Sequence, residues 1–173
     1  MNPTAPVVTP IAGAPITTSG PTNGAYDSNG NLLFYVKDLQ VFKPGSSTPV
    51  GSLAGSANNG SAPGPELEIV PVPGQENCGK FYVIYQASGA LYYSTISWNN
   101  GVITSVPAFG SAINAYNYPQ NHLFDYNIGL AVSKMTTSGV RYLFTLVNDG
   151  NPQDPAQGSL YRLTISSTGI SPN

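Results

Sequence analysis

The sequence predicts an all-β protein, read as a β-propeller-like array of about three antiparallel β-meander units, with a β-sandwich as the alternative. Three observations predict it. Gly, Pro, Ser, Asn and Thr fill 82 of the 173 positions, which supplies turn chemistry at short intervals. Charged residues are 8% of the chain and aromatics 10%, with 11 tyrosines, which excludes both a disordered chain and a helical bundle. Strand-like segments of similar sequence recur, and no segment reads as an amphipathic helix longer than two turns.

Residues 1–23 hold Pro3, Pro6, Pro10, Pro15 and Pro21. Proline fixes φ and lacks an amide hydrogen, so neither a helix nor a central strand fits there. An extended arm or linker is expected over 1–23, and one β domain over 24–173. Asp27-Ser28-Asn29-Gly30-Asn31 reads as a turn and Leu32–Val36 as the strand leaving it. Gln40–Phe42 follows, closed by Pro44-Gly45. Residues 45–65 are mostly Gly, Ser, Ala, Asn and Pro, giving a long loop with a short strand at Val50–Leu53.

Leu67–Val72 is a strand ended by Pro73-Gly74. Lys80–Gln86 and Ala90–Trp98 form a hairpin around Ser88-Gly89. Asn99-Asn100-Gly101 is a strong hairpin turn, because Asn and Gly tolerate positive φ, and Val102–Val106 answers it. Residues 107–121 read as irregular. Leu123–Val132, Arg141–Val147 and Ser159–Ile165 complete the strands, with a polar loop over Asn148–Gln157.

The repeat is visible in aligned segments. Gly89-Ala90-Leu91-Tyr92-Tyr93-Ser94-Thr95-Ile96 matches Gly158-Ser159-Leu160-Tyr161-Arg162-Leu163-Thr164-Ile165 at Gly, Leu, Tyr, Thr and Ile. The preceding strands align Gly79–Tyr85 with Val140–Leu146, and Gly30–Val36 is a weaker third copy. Closed propellers need about 4 to 8 blades. Three units therefore belong to a longer propeller, assemble from several copies, or stand as an open array whose edges invite strand pairing.

Those segments carry a resemblance. Asp27-Ser28-Asn29-Gly30-Asn31-Leu32-Leu33-Phe34-Tyr35 resembles the D-x-x-G-N-L-L-F-Y opening of propeller-like repeat regions in large secreted or surface proteins of Bacteroidetes. Glu68-Ile69-Val70-Pro71-Val72-Pro73-Gly74, Cys78 and Phe81-Tyr82-Val83-Ile84-Tyr85 are similar to a following segment of that family, as are Leu91-Tyr92-Tyr93-Ser94 and Leu160–Ile165. The resemblance covers about residues 24 to 171. Many members carry a C-terminal sorting domain for type IX secretion; residues 1–173 hold none, so export by that route is only what the resemblance implies. The resemblance implies a blade architecture and export, and no catalytic residue. Where the family often has an acid after its Tyr-Tyr-Ser strand, this chain has Ser97-Trp98.

Charge and composition bound the function. Six scattered cations against eight acids give a net charge of −2, which excludes a basic nucleic-acid surface. No apolar run approaches the ~18 residues of a membrane span, so no membrane insertion is expected. Few charges with much Asn, Thr, Ser and Gly point to an extracellular or cell-surface setting, although the first residues lack the basic and apolar regions of a signal peptide. Cys78 is the single cysteine, so no disulfide forms within the chain. It reads as a turn residue.

Catalytic groups are scarce. His122 is the single histidine and there is no Gly-x-Ser-x-Gly elbow, so no catalytic residue, metal or cofactor is assigned, and a hydrolase fragment ranks last. Glu66 and Glu68 lie two apart and would share a strand face, either as an acid–base pair, as a solvated face or as cross-strand partners for Lys80. Asp27–Asn31 and Asn148–Asp154 each offer the oxygen spacing of a calcium loop, or of a plain Asx turn. The candidate ligand-binding residues are the aromatics Trp98, Tyr116, Tyr118 and Tyr126, which fall in or near stretches rich in Asn and Gln. Such rings suit protein recognition, sugar stacking or simple core packing. The leading expectation is a non-catalytic interaction or structural module that binds a protein partner or itself through β-edges. A carbohydrate-binding module using those aromatics is the alternative.

Overall fold

A computed structural model describes residues 22–53, 66–87, 90–117, 129–148 and 158–172. Among the described residues, thirteen strands lie in three antiparallel sheets. The first sheet is β1 (Thr22–Tyr26), β2 (Leu32–Lys37), β3 (Gln40–Phe42) and β4 (Pro49–Ser52), paired in that order. The second is β5 (Leu67–Pro71), β6 (Lys80–Ala87), β7 (Ala90–Asn99) and β8 (Val102–Val106), with β9 (Ile113–Asn117) also on β7. The third is β10 (Gly129–Val132), β11 (Arg141–Asn148), β12 (Gly158–Ser166) and β13 (Gly169–Pro172). The all-β class and the meander order agree with the sequence.

The three sheets stack face to face. Phe34, Val36 and Val41 of the first sheet pack on Phe81, Val83, Tyr85 and Ile96 of the second. Tyr82, Ile84, Leu91 and Tyr93, on the opposite face of the second sheet, pack on Leu143, Leu163, Ile165 and Ile170 of the third. The second sheet is therefore covered on both faces. Its strand β6 is buried without a break from Phe81 to Tyr85, so it reads as a continuous apolar run. In β11 burial alternates, Leu143 and Thr145 inside and their neighbours outside, as expected for a strand covered on one face.

The first strands of the sheets meet. β5 touches both β1 and β10. The Asn23 side-chain amide donates to the Leu67 carbonyl at 3.0 Å, and the Leu130 amide donates to the Glu66 carboxylate. At the other junction the Tyr82 hydroxyl donates to the Ser166 carbonyl at 3.0 Å. These bonds tie neighbouring sheets where no ladder does.

Turn chemistry explains the connections. Asn100 and Gly101 have φ of 47° and 82°, the two positive values of a type I′ hairpin turn. Asp38 and Leu39 do the same between β2 and β3, at φ 50° and 60°. A left-handed leucine costs about 1–2 kcal/mol. Leu39 is buried in the core between the first two sheets, which returns about 1.5–3 kcal/mol and offsets that cost.

Three strands differ from expectation. β1 starts at Thr22, one residue before the expected end of the arm, while residues 1–21 lie outside the described residues. β9 falls in the stretch read as irregular. It forms because β8 covers only residues 95–99 of the ten-residue β7, leaving residues 90–93 to pair with β9. β13 continues past the Ser166–Gly169 turn and seats Ile170 opposite Ile165.

The repeat occupies equivalent places, with one correction. β7 and β12 are the third strands of their sheets and align as predicted. Register then pairs Ile84 with Tyr93 and Phe144 with Arg162, so Ile84 corresponds to Phe144 and Tyr82 to Tyr142. The sequence alignment of β6 with β11 is thus off by one. Such a slip exchanges the two faces of a strand. It goes unnoticed in the sequence because Phe81–Tyr85 is apolar at every position and so carries no phase of its own.

Candidate functional site

Three turns from two sheets surround a cleft of about 650 Å³, within the range of small-ligand sites. The β1–β2 turn brings Asp27 and Ser28, the short 3-10 turn at Glu76–Cys78 brings Asn77, and the end of β7 brings Trp98 and Asn99. Trp98 leans on the core between the first and second sheets and stays partly exposed to the cleft. Its amide donates to the Gly79 carbonyl at 2.8 Å.

Gly79 fixes this arrangement. Its φ is 63°, and a Cβ there would lie 2.4 Å from the Trp98 carbonyl oxygen. A residue without a side chain is what lets the 76–78 turn rest directly on the end of β7. Cys78 is exposed at the cleft, in a turn as the sequence predicted.

The Asp27 carboxylate organises its own turn. One oxygen accepts the amides of Asn29 and Asn31 at 2.9 and 2.8 Å, and the other accepts the Asn31 side-chain amide at 2.9 Å. The Asn31 side chain and then these amides hold its pKa below the usual value. This is the Asx-turn reading of Asp27–Asn31. The loop at Asn148–Asp154 lies almost wholly outside the described residues. Among the described residues no group of three His, Cys, Asp or Glu is placed to hold a metal ion.

The candidate aromatics separate. Trp98 lines the cleft. Tyr116 sits on β9 beside the other core, its ring 5.1 Å from Tyr161 and tilted by 43°. Burial, then the Tyr161 hydroxyl, raises its pKa. Tyr118 and Tyr126 lie outside the described residues, as does His122. The polar cleft partners of Trp98 were the part that sequence reasoning missed. Ser28, Asn77 and Asn99 look like ordinary turn residues until the sheets stack.

Glu66 holds the Leu130 amide, and Glu68 lies opposite Ile84, not Lys80. Burial, and secondarily the Glu66 charge, raises the Glu68 pKa above its ordinary 4.5. A raised carboxylate binds its proton more tightly in the folded state, so stability falls as pH rises from about 4.5 through the folded-state pKa. Glu68→Gln is therefore expected to melt higher than the parent at pH 7 and to show a smaller gain near pH 3. Thermal unfolding followed by circular dichroism at both pH values checks this.

The chain matches no family model, no curated protein and no solved structure. Among the described residues no helix is long and apolar enough to cross a membrane.

Proposed function

We propose that the chain is an open, three-blade, propeller-like array that works by assembling with further copies of itself at the outer faces of its end sheets. One comparison carries this reading. In the second sheet Ile84, Leu91 and Tyr93 point toward the third sheet and are buried, Ile84 and Leu91 at 0% exposure. Their equivalents in the third sheet are Phe144, Leu160 and Arg162, and they point where a fourth sheet would lie. Leu160 is 66% exposed, and its cross-strand partner Leu146 is 49% exposed. Arg162 lies 5.0 Å from the centre of the Tyr142 ring, so even the charge on this face is seated on an aromatic.

At the opposite end of the stack, the face of the first sheet turned away from the second carries Tyr35, which is half-buried and stacks at 5.0 Å on the buried ring of Phe42. Repeating the internal stacking once more sets the third sheet of one copy on the first sheet of another. Two copies then supply six sheets, within the range of about 4 to 8 blades that closes. Each contact is heterologous, and a two-fold axis closes the pair. Face packing of this kind is favoured over pairing of β-edges because the exposed leucines are on a face. Extracellular display and a purely non-catalytic role accord with the low charge and remain part of this proposal.

Light scattering over a concentration series tests it. The parent chain is expected at twice the chain mass. Leu146→Glu with Leu160→Glu is expected as a monomer that keeps the far-ultraviolet circular dichroism spectrum of the parent and loses the concentration dependence of its unfolding midpoint. A parent that stays monomeric, or a variant that assembles equally well, overturns the reading.

A further inference from the structure

We infer that the Trp98 cleft binds a neutral oligosaccharide. The site lies between the first and second sheets, away from the outer faces, so it stands whether or not the chain assembles. Trp98 lines it and stays partly exposed there, and an indole is an apolar plane with a polar rim, suited to the C–H face of a pyranose ring. Around it Ser28, Asn77 and Asn99 carry side chains that both donate and accept, which is what a ring of hydroxyl groups requires.

Charge narrows the ligand class. Glu76 and Asp27 face the cleft against the single cation Lys80. An anionic ligand meets two carboxylates, and like charges oppose it. Asp27 is committed to its turn, and one Glu76 oxygen already accepts the Gly74 amide at 3.0 Å. The remaining polar capacity of the site is amide and hydroxyl. A neutral, polyhydroxylated ligand with one apolar face fits that inventory. The cleft is also preorganised, because the Gly79 carbonyl accepts the Trp98 amide and the close approach at Gly79 holds the 76–78 turn against the end of β7.

The chain has one tryptophan and one cysteine, and both line the cleft, which provides two local probes. Trp98 fluorescence is to be titrated with gluco-, manno-, xylo- and chito-oligosaccharides, and with sulfated and uronic-acid oligosaccharides as the anionic arm. The expected result is a saturable emission change with at least one neutral series and slower reaction of Cys78 with a thiol reagent in its presence. Asn77→Ala with Asn99→Ala, both exposed positions, is expected to weaken that binding by about tenfold or more. The same titration on the monomeric Leu146→Glu, Leu160→Glu variant is expected to be unchanged, which separates this test from that of assembly. No emission change with any neutral series, binding confined to the anionic arm, or binding undiminished in the asparagine variant would overturn the assignment.

Discussion

Replacing Phe34 by alanine is expected to remove about 3–5 kcal/mol of stability. Phe34 has 0% exposure and packs edge-to-face on Phe81, with ring centroids 5.5 Å apart and planes at 81°. It stands at the junction of the first and second sheets, so its loss opens a cavity that neither sheet can close alone. A domain of this size has about 5–15 kcal/mol in total, so the urea midpoint should drop by a large fraction. Leu160→Ala is the comparison, because Leu160 is equally apolar and exposed. It should change monomer stability by no more than about 0.5 kcal/mol. If the two variants lose the same amount, the first two sheets do not pack on one another through Phe34.

Gly79→Ala has the second large effect. The left-handed conformation at φ 63° costs an alanine about 1–2 kcal/mol. The 2.4 Å approach of the new Cβ to the Trp98 carbonyl adds to this, because the obstacle is backbone and cannot rotate away. Gly30→Ala isolates that addition, since Gly30 has φ 82° with nothing within 4 Å. Gly79→Ala is therefore expected to lose more stability than Gly30→Ala, and to shift Trp98 emission as the turn lifts off β7. Chemical denaturation of the two variants with a fluorescence readout checks both. Equal losses would mean that the turn does not rest on β7.

Much of the fold was legible because local and tertiary signals agree. Asn100-Gly101 is a hairpin turn by chemistry alone, and Leu32–Lys37, Lys80–Ala87 and Ala90–Asn99 carry enough apolar residues to declare themselves as strands. The missed strands lack that signal. Thr22-Asn23-Gly24-Ala25-Tyr26 and Gly169-Ile170-Ser171-Pro172 each place only one residue in a core, and they form because a neighbouring strand has a free edge. Leu39 could not be read as a left-handed turn residue, since only its burial sustains that conformation. The off-by-one alignment of β6 and β11 has a similar origin. Phe81-Tyr82-Val83-Ile84-Tyr85 is apolar in either phase, so the pattern alone does not fix which residues face which sheet.

The site was legible one residue at a time. Trp98 stood out as an aromatic beside an Asn-rich turn, and Asp27 and Cys78 stood out for other reasons. Their meeting in one cleft depends on the stacking of two sheets, which no local pattern encodes. Tyr116 was read into a loop because its strand is held by the unused half of β7, a tertiary circumstance.

The most direct test of the proposed assembly is hydroxyl-radical footprinting of the chain at low and high concentration. Leu146, Leu160 and Phe144 should lose reactivity as concentration rises, together with Tyr35 at the other end of the stack. Val106, exposed at the edge of the second sheet, should react equally throughout. Uniform reactivity of Leu160 and Val106 at every concentration would contradict assembly through the sheet faces.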